Sequence, residues 1–401
     1  MKCLVKEDVE KDGLSYKTDW QEPALGFDEV KIKVLSTAVC GTDKSIYNSG
    51  KSEGIRREMQ RYLAGQAFKP MVIGHEFCGI IEEVGPGVAK GEWQNLPDHL
   101  RLQPGDYVTA EMHLGCARCY QCRTGNEHIC TSFKVKGLHL DGCFAERVVV
   151  PQHNVIMLGK DGDTSRIPPR IGAMLDAFGN AVHTVEEADV RGKSVAILGA
   201  GPLGLMAVFL CKAFGATRIY LTEATDIERR FKLGSEFGAD FCFDVAASAN
   251  GLYTAVEKWE KQANGVDVVL EMSGAPTAYQ DAFKIVRNGG QVVLLGIPRQ
   301  PLANFDIANG VIWKGVTVKG IFGRKMFSTW ETLLRLLNSE QFDMRSQLSK
   351  LAAERQYKLG EFEEAFKALT AGRQMKLVFQ PTADTTPFVS NTHVNNLAFT
   401  P

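Results

Sequence analysis

The chain has 401 residues, a formal net charge of −1, 44% hydrophobic and 23% charged residues. That length predicts two or three domains, and that composition excludes a disordered chain. Lys plus Arg is 46 against 47 for Asp plus Glu, so the basic surplus of a nucleic-acid binder is absent. Ten cysteines are too sparse for a disulfide scaffold in a chain this long, so their spacing decides their role.

The N-terminus, MKCLVKEDVEKDG, mixes both charge signs and lacks the apolar core of a signal peptide. The longest apolar run, Val195 to Cys211, holds Gly199, Gly201, Pro202 and Gly204 near its front. A strand, a tight turn and a buried helix explain it better than a bilayer span does. No membrane partner is expected. The location expected is cytoplasmic and reducing, with thiols free or metal-bound.

The first third reads as β-rich. Glu29 to Ser36 alternates polar and apolar residues; Phe77 to Val84 and Asp106 to Glu111 are further strands closed by Gly and Pro turns. Two segments read as insertions, Gly50 to Pro70 with Lys51, Arg56, Arg57, Arg61 and Lys69, and Lys90 to Gln103 with Trp93. From about residue 190 strands and helices alternate. Strands are expected at Ser194–Leu198, Arg218–Thr222, Val266–Leu270, Gln291–Leu295 and Val316–Ile321, with a helix at Leu203–Phe214. This alternation predicts a doubly wound parallel α/β sheet. Helices follow at Ser328–Asn338 and Leu359–Leu369, and a polar tail runs from Pro381 to Pro401.

Gly199-Ala200-Gly201-Pro202-Leu203-Gly204 follows a strand and opens a helix. The first Gly permits the turn, the second lets a pyrophosphate approach, and the third lets helix and strand pack. The helix N-terminus offers free N–H groups to the phosphates. Glu223 ends the next strand, where a carboxylate accepts from a ribose 2′-hydroxyl and favours NAD over NADP. Arg229 and Arg230 lie close and could serve a 2′-phosphate instead.

Cys116, Cys119, Cys122 and Cys130 fall within fifteen residues. Four thiolates at this spacing close a tetrahedral Zn²⁺ site with no open position, which makes it structural. Cys40 lies in Val39-Cys40-Gly41-Thr42-Asp43, and His75 and Glu76 in Gly74-His75-Glu76. The residues alone leave two readings open: a packed Cys and a satisfied His, or an open zinc site able to act as a Lewis acid on a substrate oxygen.

Together these motifs resemble the zinc-dependent medium-chain alcohol/polyol dehydrogenases along nearly the whole chain. Cys40 to Asp43, Gly74 to Glu76, the four-cysteine lobe, Asp141 to Glu146 and Gly199 to Gly204 occur in that family's order. Within it the likeness is greatest to the L-threonine 3-dehydrogenases, through Phe178 to Thr184, Glu271 to Pro276 and Gly320 to Phe327. The resemblance implies a GroES-like β-rich catalytic domain split around a Rossmann domain. Expected boundaries are 1–176 with the lobe at 111–131, then 177–323, then 324–401 returning to the catalytic domain. It implies two zinc ions per chain, NAD, a small-molecule alcohol substrate and a homodimer or homotetramer.

It further implies Cys40 and His75 as catalytic zinc ligands, Glu76 as ligand or near-ligand, and Asp176 at the remaining carboxylate position. Thr42 matches the residue that passes the substrate proton outward. Where the threonine enzymes have a His three residues after that Thr, this chain has Ser45, preceded by Lys44; Ala177 stands where a proline is usual. Ser45 is therefore expected on the proton route. Arg324 is expected at the domain junction or the nicotinamide side, and His113 along the cleft. Segment 50–70 is expected to border the substrate cleft, which leaves a sugar or polyol dehydrogenase as the alternative. An alternative of another class is an inactive relative that keeps only the structural zinc.

Overall fold

The computed structural model describes residues 1–382 apart from 91–95, 98–99, 247, 299–300, 304, 354 and 373. Trp93 and the tail from residue 383 lie outside the described residues.

The N-terminal half builds a seven-stranded sheet around Glu29–Ala38. That strand alternates buried and half-buried side chains, as its sequence pattern requires. Glu76–Val84 and Arg147–Pro151 flank it antiparallel. Val378–Gln380 adds to it from the far end of the chain, pairing Val378 with Ala38 and Phe379 with Thr37. The C-terminal segment therefore returns to the first sheet. Leu4, Val30, Ile32, Val34, Phe77, Phe144, Phe366 and Phe379 share its core.

The second sheet has six parallel strands in the spatial order Phe241–Asp244, Arg218–Glu223, Ser194–Leu198, Val266–Glu271, Val286–Leu294 and Thr317–Gly320. Strand order reverses beside Ser194–Leu198, which is where a doubly wound sheet opens a crevice for a ligand. One core packs helices Leu175–Ala188, Pro202–Ala213 and Ser328–Asn338 on one face; a separate cluster around Ala196, Tyr220 and Val292 fills the other. Chain reversals at the sheet's ends leave both faces covered, which explains the continuous apolar runs of its strands.

Most strands and helices shift by one or two residues from their expected bounds, and two elements differ more. Val286–Leu294 starts five residues before Gln291, because Val286 pairs with Val266 before the ladder slips and resumes at Gln291 opposite Val268. The expected helix from Leu359 opens as a short 3₁₀ turn, Leu359–Glu361, before the α-helix Phe362–Thr370. The apolar run from Val195 divides into the strand Ser194–Leu198 and the helix Pro202–Ala213. Among the described residues no helix is long and apolar enough to cross a membrane.

The turn between that strand and helix is open at Gly201 but leaves no room for a side chain at Gly204. A Cβ on Gly204 would lie 1.8 Å from the Gly199 carbonyl oxygen. Gly204→Ala is expected to cost about 1–3 kcal/mol of stability, read from urea unfolding, and to weaken dinucleotide binding. An unchanged unfolding midpoint would show that the turn relaxes freely.

Candidate active site

The antiparallel sheet positions one donor set. Cys40 follows Glu29–Ala38, His75 immediately precedes and Glu76 begins the neighbouring strand Glu76–Val84, and Ala38 is paired with Glu76. Cys40 Sγ, His75 and Glu76 each place a ligand atom within 4.8 Å of the others. Asp43 is fully buried beneath them. Its Oδ2 accepts from the Cys40 amide at 2.8 Å, while its Oδ1 lies 3.6 Å from His75 Nδ1. That separation is beyond a hydrogen bond, so both atoms stay buried without a partner. Burial alone would lower the His75 imidazole, but the facing Asp43 and Cys40 outweigh it and raise it well above the usual value.

Lys376 enters from the C-terminal strand. Its Nζ is buried and lies 2.7 Å from Glu76 Oε1 and 2.5 Å from Oε2. The second contact lacks hydrogen-bond direction, since Glu76 Oε2 has no hydrogen-bond partner. Burial pushes the Glu76 carboxyl up despite the nearby ammonium, and Glu76 in turn raises Lys376 against its own burial.

Asp176 begins the helix Leu175–Ala188 and is not part of the three-donor group. Its Oδ1 is 2.8 Å from Arg324 Nη2 but off the N–H direction, so it too lacks a hydrogen bond. Arg324, expected at the domain junction or the nicotinamide side, is fully buried. It donates to Glu111 Oε2 at 2.8 Å and Oε1 at 2.5 Å, to the Asp176 carbonyl and to Asn180 Oδ1 at 3.1 Å. Trp330 Nε1 donates to the same Glu111 at 2.9 Å, and His113 Nδ1 lies 2.8 Å from it. Burial would raise the Glu111 carboxyl, yet the Arg324 charge and the His113 contacts hold it well below the usual carboxylate range.

Thr42 Oγ1 sits 3.8 Å from Cys40 Sγ at the start of the helix Gly41–Tyr47. Ser45 Oγ donates back to the Gly41 carbonyl at 3.2 Å, within the same helix. The four lobe cysteines bring all their sulfurs within 4.8 Å of one another. Backbone amides of Cys116 and Ser132 point at Cys130 Sγ, and that of Cys119 at Cys116 Sγ, each at 3.3 Å. The backbone amides of Cys122 and Thr131 hold the Cys119 thiol down to about 6. Such an amide-lined sulfur cage fits a tetrahedral zinc ion. The first set, with thiol, imidazole, carboxylate and orphaned buried atoms, fits an ion with an open coordination position. All ten cysteines are free of disulfides, as their sparse spacing implied.

At the parallel sheet, Gly199 has φ +110°, and Pro202 occupies the first helical position. Leu203 and Gly204 follow in the first turn. Glu223 folds back over this turn. Its Oε2 accepts from the Ala200 amide at 3.1 Å and from Arg230; its Oε1 accepts from the Ala224 and Thr225 amides at 2.8 and 3.1 Å. Arg229 Nε is paired with Asp226 at 2.7 Å.

Sequence reasoning missed Lys376, Glu111 and Trp330. Glu111 stands two residues before His113, a visible spacing; Lys376 precedes the apolar strand Leu-Val-Phe, and only the sheet register brings it to Glu76.

Lys376→Met would leave Glu76 buried and uncompensated, costing about 3–5 kcal/mol. The double variant Lys376→Met, Glu76→Gln should recover much of that loss in denaturant melts. A single variant as stable as the parent would show that the pair is solvated in solution.

Residues 26–160 match the family model described as an alcohol dehydrogenase GroES-like domain, and residues 202–339 that of a zinc-binding dehydrogenase. An L-threonine 3-dehydrogenase of Bacillus subtilis (strain 168) is 35% identical, over 95% of this chain and 99% of its own. An L-threonine 3-dehydrogenase of Pyrococcus abyssi is 36% identical, over 89% of this chain and 92% of its own. Among solved structures, alcohol dehydrogenase TADH from Thermus sp. ATN1 is 25% identical with a TM-score of 0.76, covering 95% and 99% of the two chains. Galactitol-1-phosphate dehydrogenase from Escherichia coli is also 25% identical, with a TM-score of 0.75 over 95% and 100%. The α/β fold, with its GroES-like and Rossmann parts, is theirs. The chain belongs to the zinc-dependent medium-chain alcohol dehydrogenase family and is an oxidoreductase acting on CH–OH donors.

Proposed function

We propose that the protein oxidises the secondary hydroxyl of an amino alcohol or hydroxy amino acid with NAD⁺, in the manner of an L-threonine 3-dehydrogenase. The observation that carries this reading is the convergence of Cys40, His75 and Glu76 beside buried, partnerless polar atoms. Cys40, His75 and Glu76 would hold the catalytic zinc, with Asp176 in reserve behind Arg324. The metal supplies Lewis-acid stabilisation of an alkoxide, and the dinucleotide supplies the hydride acceptor. Asp43 places a buried carboxylate opposite the His75 ring. Lys376 balances the charge of Glu76. Thr42 takes the substrate proton at its hydroxyl, and Ser45, whose Oγ now bonds Gly41, would rotate to carry it outward. Cys116, Cys119, Cys122 and Cys130 would hold the structural zinc.

Gly199, Gly201, Pro202, Leu203 and Gly204 would cradle the pyrophosphate, and Glu223 the adenosine ribose. The pairing of Arg229 with Asp226 and of Arg230 with Glu223 supports NAD over NADP, since each guanidinium already faces a carboxylate. We assign 1–176 and 324–401 to a discontinuous catalytic domain and 177–323 to the dinucleotide domain, a division supported by the pairing of Val378–Gln380 with Glu29–Ala38. Ile297 and Trp313 are 81% and 78% exposed, and Ile312 and Val318 are also exposed, around the edge strand Thr317–Gly320; that apolar rim supports a homo-oligomer joined at the edge. The ten free thiols suit a reducing cytoplasm.

A sugar or polyol dehydrogenase is the second reading, favoured by the basic segment 50–70 and by Ser45 in place of a histidine.

Cys40→Ser should abolish NAD⁺-dependent oxidation of L-threonine while leaving NAD⁺ binding measurable by fluorescence. Retained turnover in that variant would remove Cys40 from the chemistry. Glu223→Ala should lower the NAD/NADP preference by about tenfold, the worth of one ribose hydrogen bond to a charged group. An unchanged ratio of kcat/KM values would reject its ribose role.

A further inference from the structure

The insertion at residues 50–70 is fixed to the body of the protein on one side. Lys51 pairs with Asp12 at 3.1 Å, and Arg56 pairs with Glu10 at 3.2 Å and donates to the Ser49 carbonyl at 2.6 Å. Buried Lys6 holds the facing loop through the Lys11 and Gly13 carbonyls. These contacts use two of the insertion's cations and leave Arg61 on the other side.

There Arg61 lies 5.1 Å over the Phe133 ring and 5.5 Å over the Tyr62 ring, and Lys134 Nζ lies 5.9 Å over Tyr62. Phe133 touches Phe322 at 5.2 Å between centroids, and Phe322 touches His113 at 5.8 Å. His113 in turn joins Glu111, Arg324 and Asp176 behind the metal-ligand group. A row of rings thus runs from the Arg324–Glu111 network, whose Asp176 acts by charge on His75 and Glu76, to the two cations.

The facing charges can be counted. Glu58 pairs with Arg61 at 3.0 Å. His139 Nδ1 accepts from the Val135 amide at 3.0 Å, so its proton sits on Nε2, 3.1 Å from the Glu58 carbonyl oxygen. Burial lowers its basicity further, so it adds no charge. Lys134 is exposed, and the described residues give it no carboxylate. Of these stacked and paired side chains Glu58, which also lies 3.4 Å from His139 Nε2, offsets Arg61 and Lys134 keeps its positive charge over the aromatic floor, with Cys130 of the lobe also near Tyr62. The Tyr62 hydroxyl is buried and has no hydrogen-bond partner. Burial raises it, so it stays protonated and able to donate.

We propose that Arg61, Lys134 and the Tyr62 hydroxyl form the anion-recognising wall of the substrate site, selecting secondary alcohols that carry a carboxylate or a phosphate. An anion seated there gains charge-assisted hydrogen bonds from two cations and gives the stranded phenol an acceptor. This rests on the reading of the Cys40–His75 pocket as the site of alcohol oxidation.

The test uses the zinc-loaded enzyme with NAD⁺ and three substrates: L-threonine, galactitol 1-phosphate and neutral butane-2,3-diol. In Arg61→Met, Lys134→Met the kcat/KM ratio of anionic to neutral substrate should fall about tenfold or more, through KM. Tyr62→Phe, which keeps the ring, should lower the same ratio. Arg57→Met, on the insertion but without ring contacts, should not. Which anionic substrate loses more tells carboxylate from phosphate. Calorimetric binding of L-threonine and of inorganic phosphate to the NAD⁺-loaded enzyme reads the wall without turnover, and should weaken in the double variant. Equal ratios, or equal anion affinities, in parent and double variant overturn the proposal. Failure of the parent to oxidise any of the three substrates counts against the functional reading instead, and the binding measurement then still decides the wall.

Discussion

Arg324 has no exposed side-chain surface, and a guanidinium taken out of water needs acceptors on every side. Glu111 supplies both its oxygens, and Asp176 and Asn180 supply the rest. The partners come from the antiparallel sheet region and from the helix Leu175–Ala188, while Arg324 follows the last parallel strand. One buried cation therefore fixes the approach of three parts of the chain. The removal of any partner would strand a charge, so the network specifies geometry more than it adds stability.

The same logic operates at Lys376. The ammonium is delivered by a strand more than three hundred residues from Cys40 in sequence, and it meets Glu76 only because Val378 pairs with Ala38. Burial pushes the Glu76 carboxyl toward its neutral form; the buried cation beside it opposes that shift in part and leaves one of the carboxylate oxygens without a hydrogen bond. Asp43 acts on His75 through charge, its carboxylate facing the imidazole at 3.6 Å without a hydrogen bond.

Much of this was legible in the residues. Period-two and buried runs located the strands, the glycine turn located the dinucleotide crevice, and the cysteine spacing located the lobe. The candidate donors Cys40 and His75 stood out only through the family resemblance, because each alone is an ordinary core residue. What sequence could not supply was long-range register. Lys376, Glu111 and Trp330 matter through the surfaces they meet, and no local pattern encodes those meetings. Arg324 illustrates the limit from the other side: its place in a distinctive segment suggested the domain junction or the cofactor, and only the structure shows its buried tie to Glu111. The insertion's arginines likewise divide by partner, Arg56 to the N-terminal loop and Arg61 to the aromatic row, a distinction invisible in a list of basic residues.

Two zinc ions held by different donors can be told apart by X-ray absorption at the zinc edge of protein loaded to two ions per chain. The expected spectrum has a mixed first shell, with sulfur at about 2.3 Å and nitrogen or oxygen at about 2.0–2.1 Å, and an all-sulfur shell when Cys40 and His75 are both replaced. Binding of a single ion per chain, with sulfur ligands only in the parent protein, would contradict it.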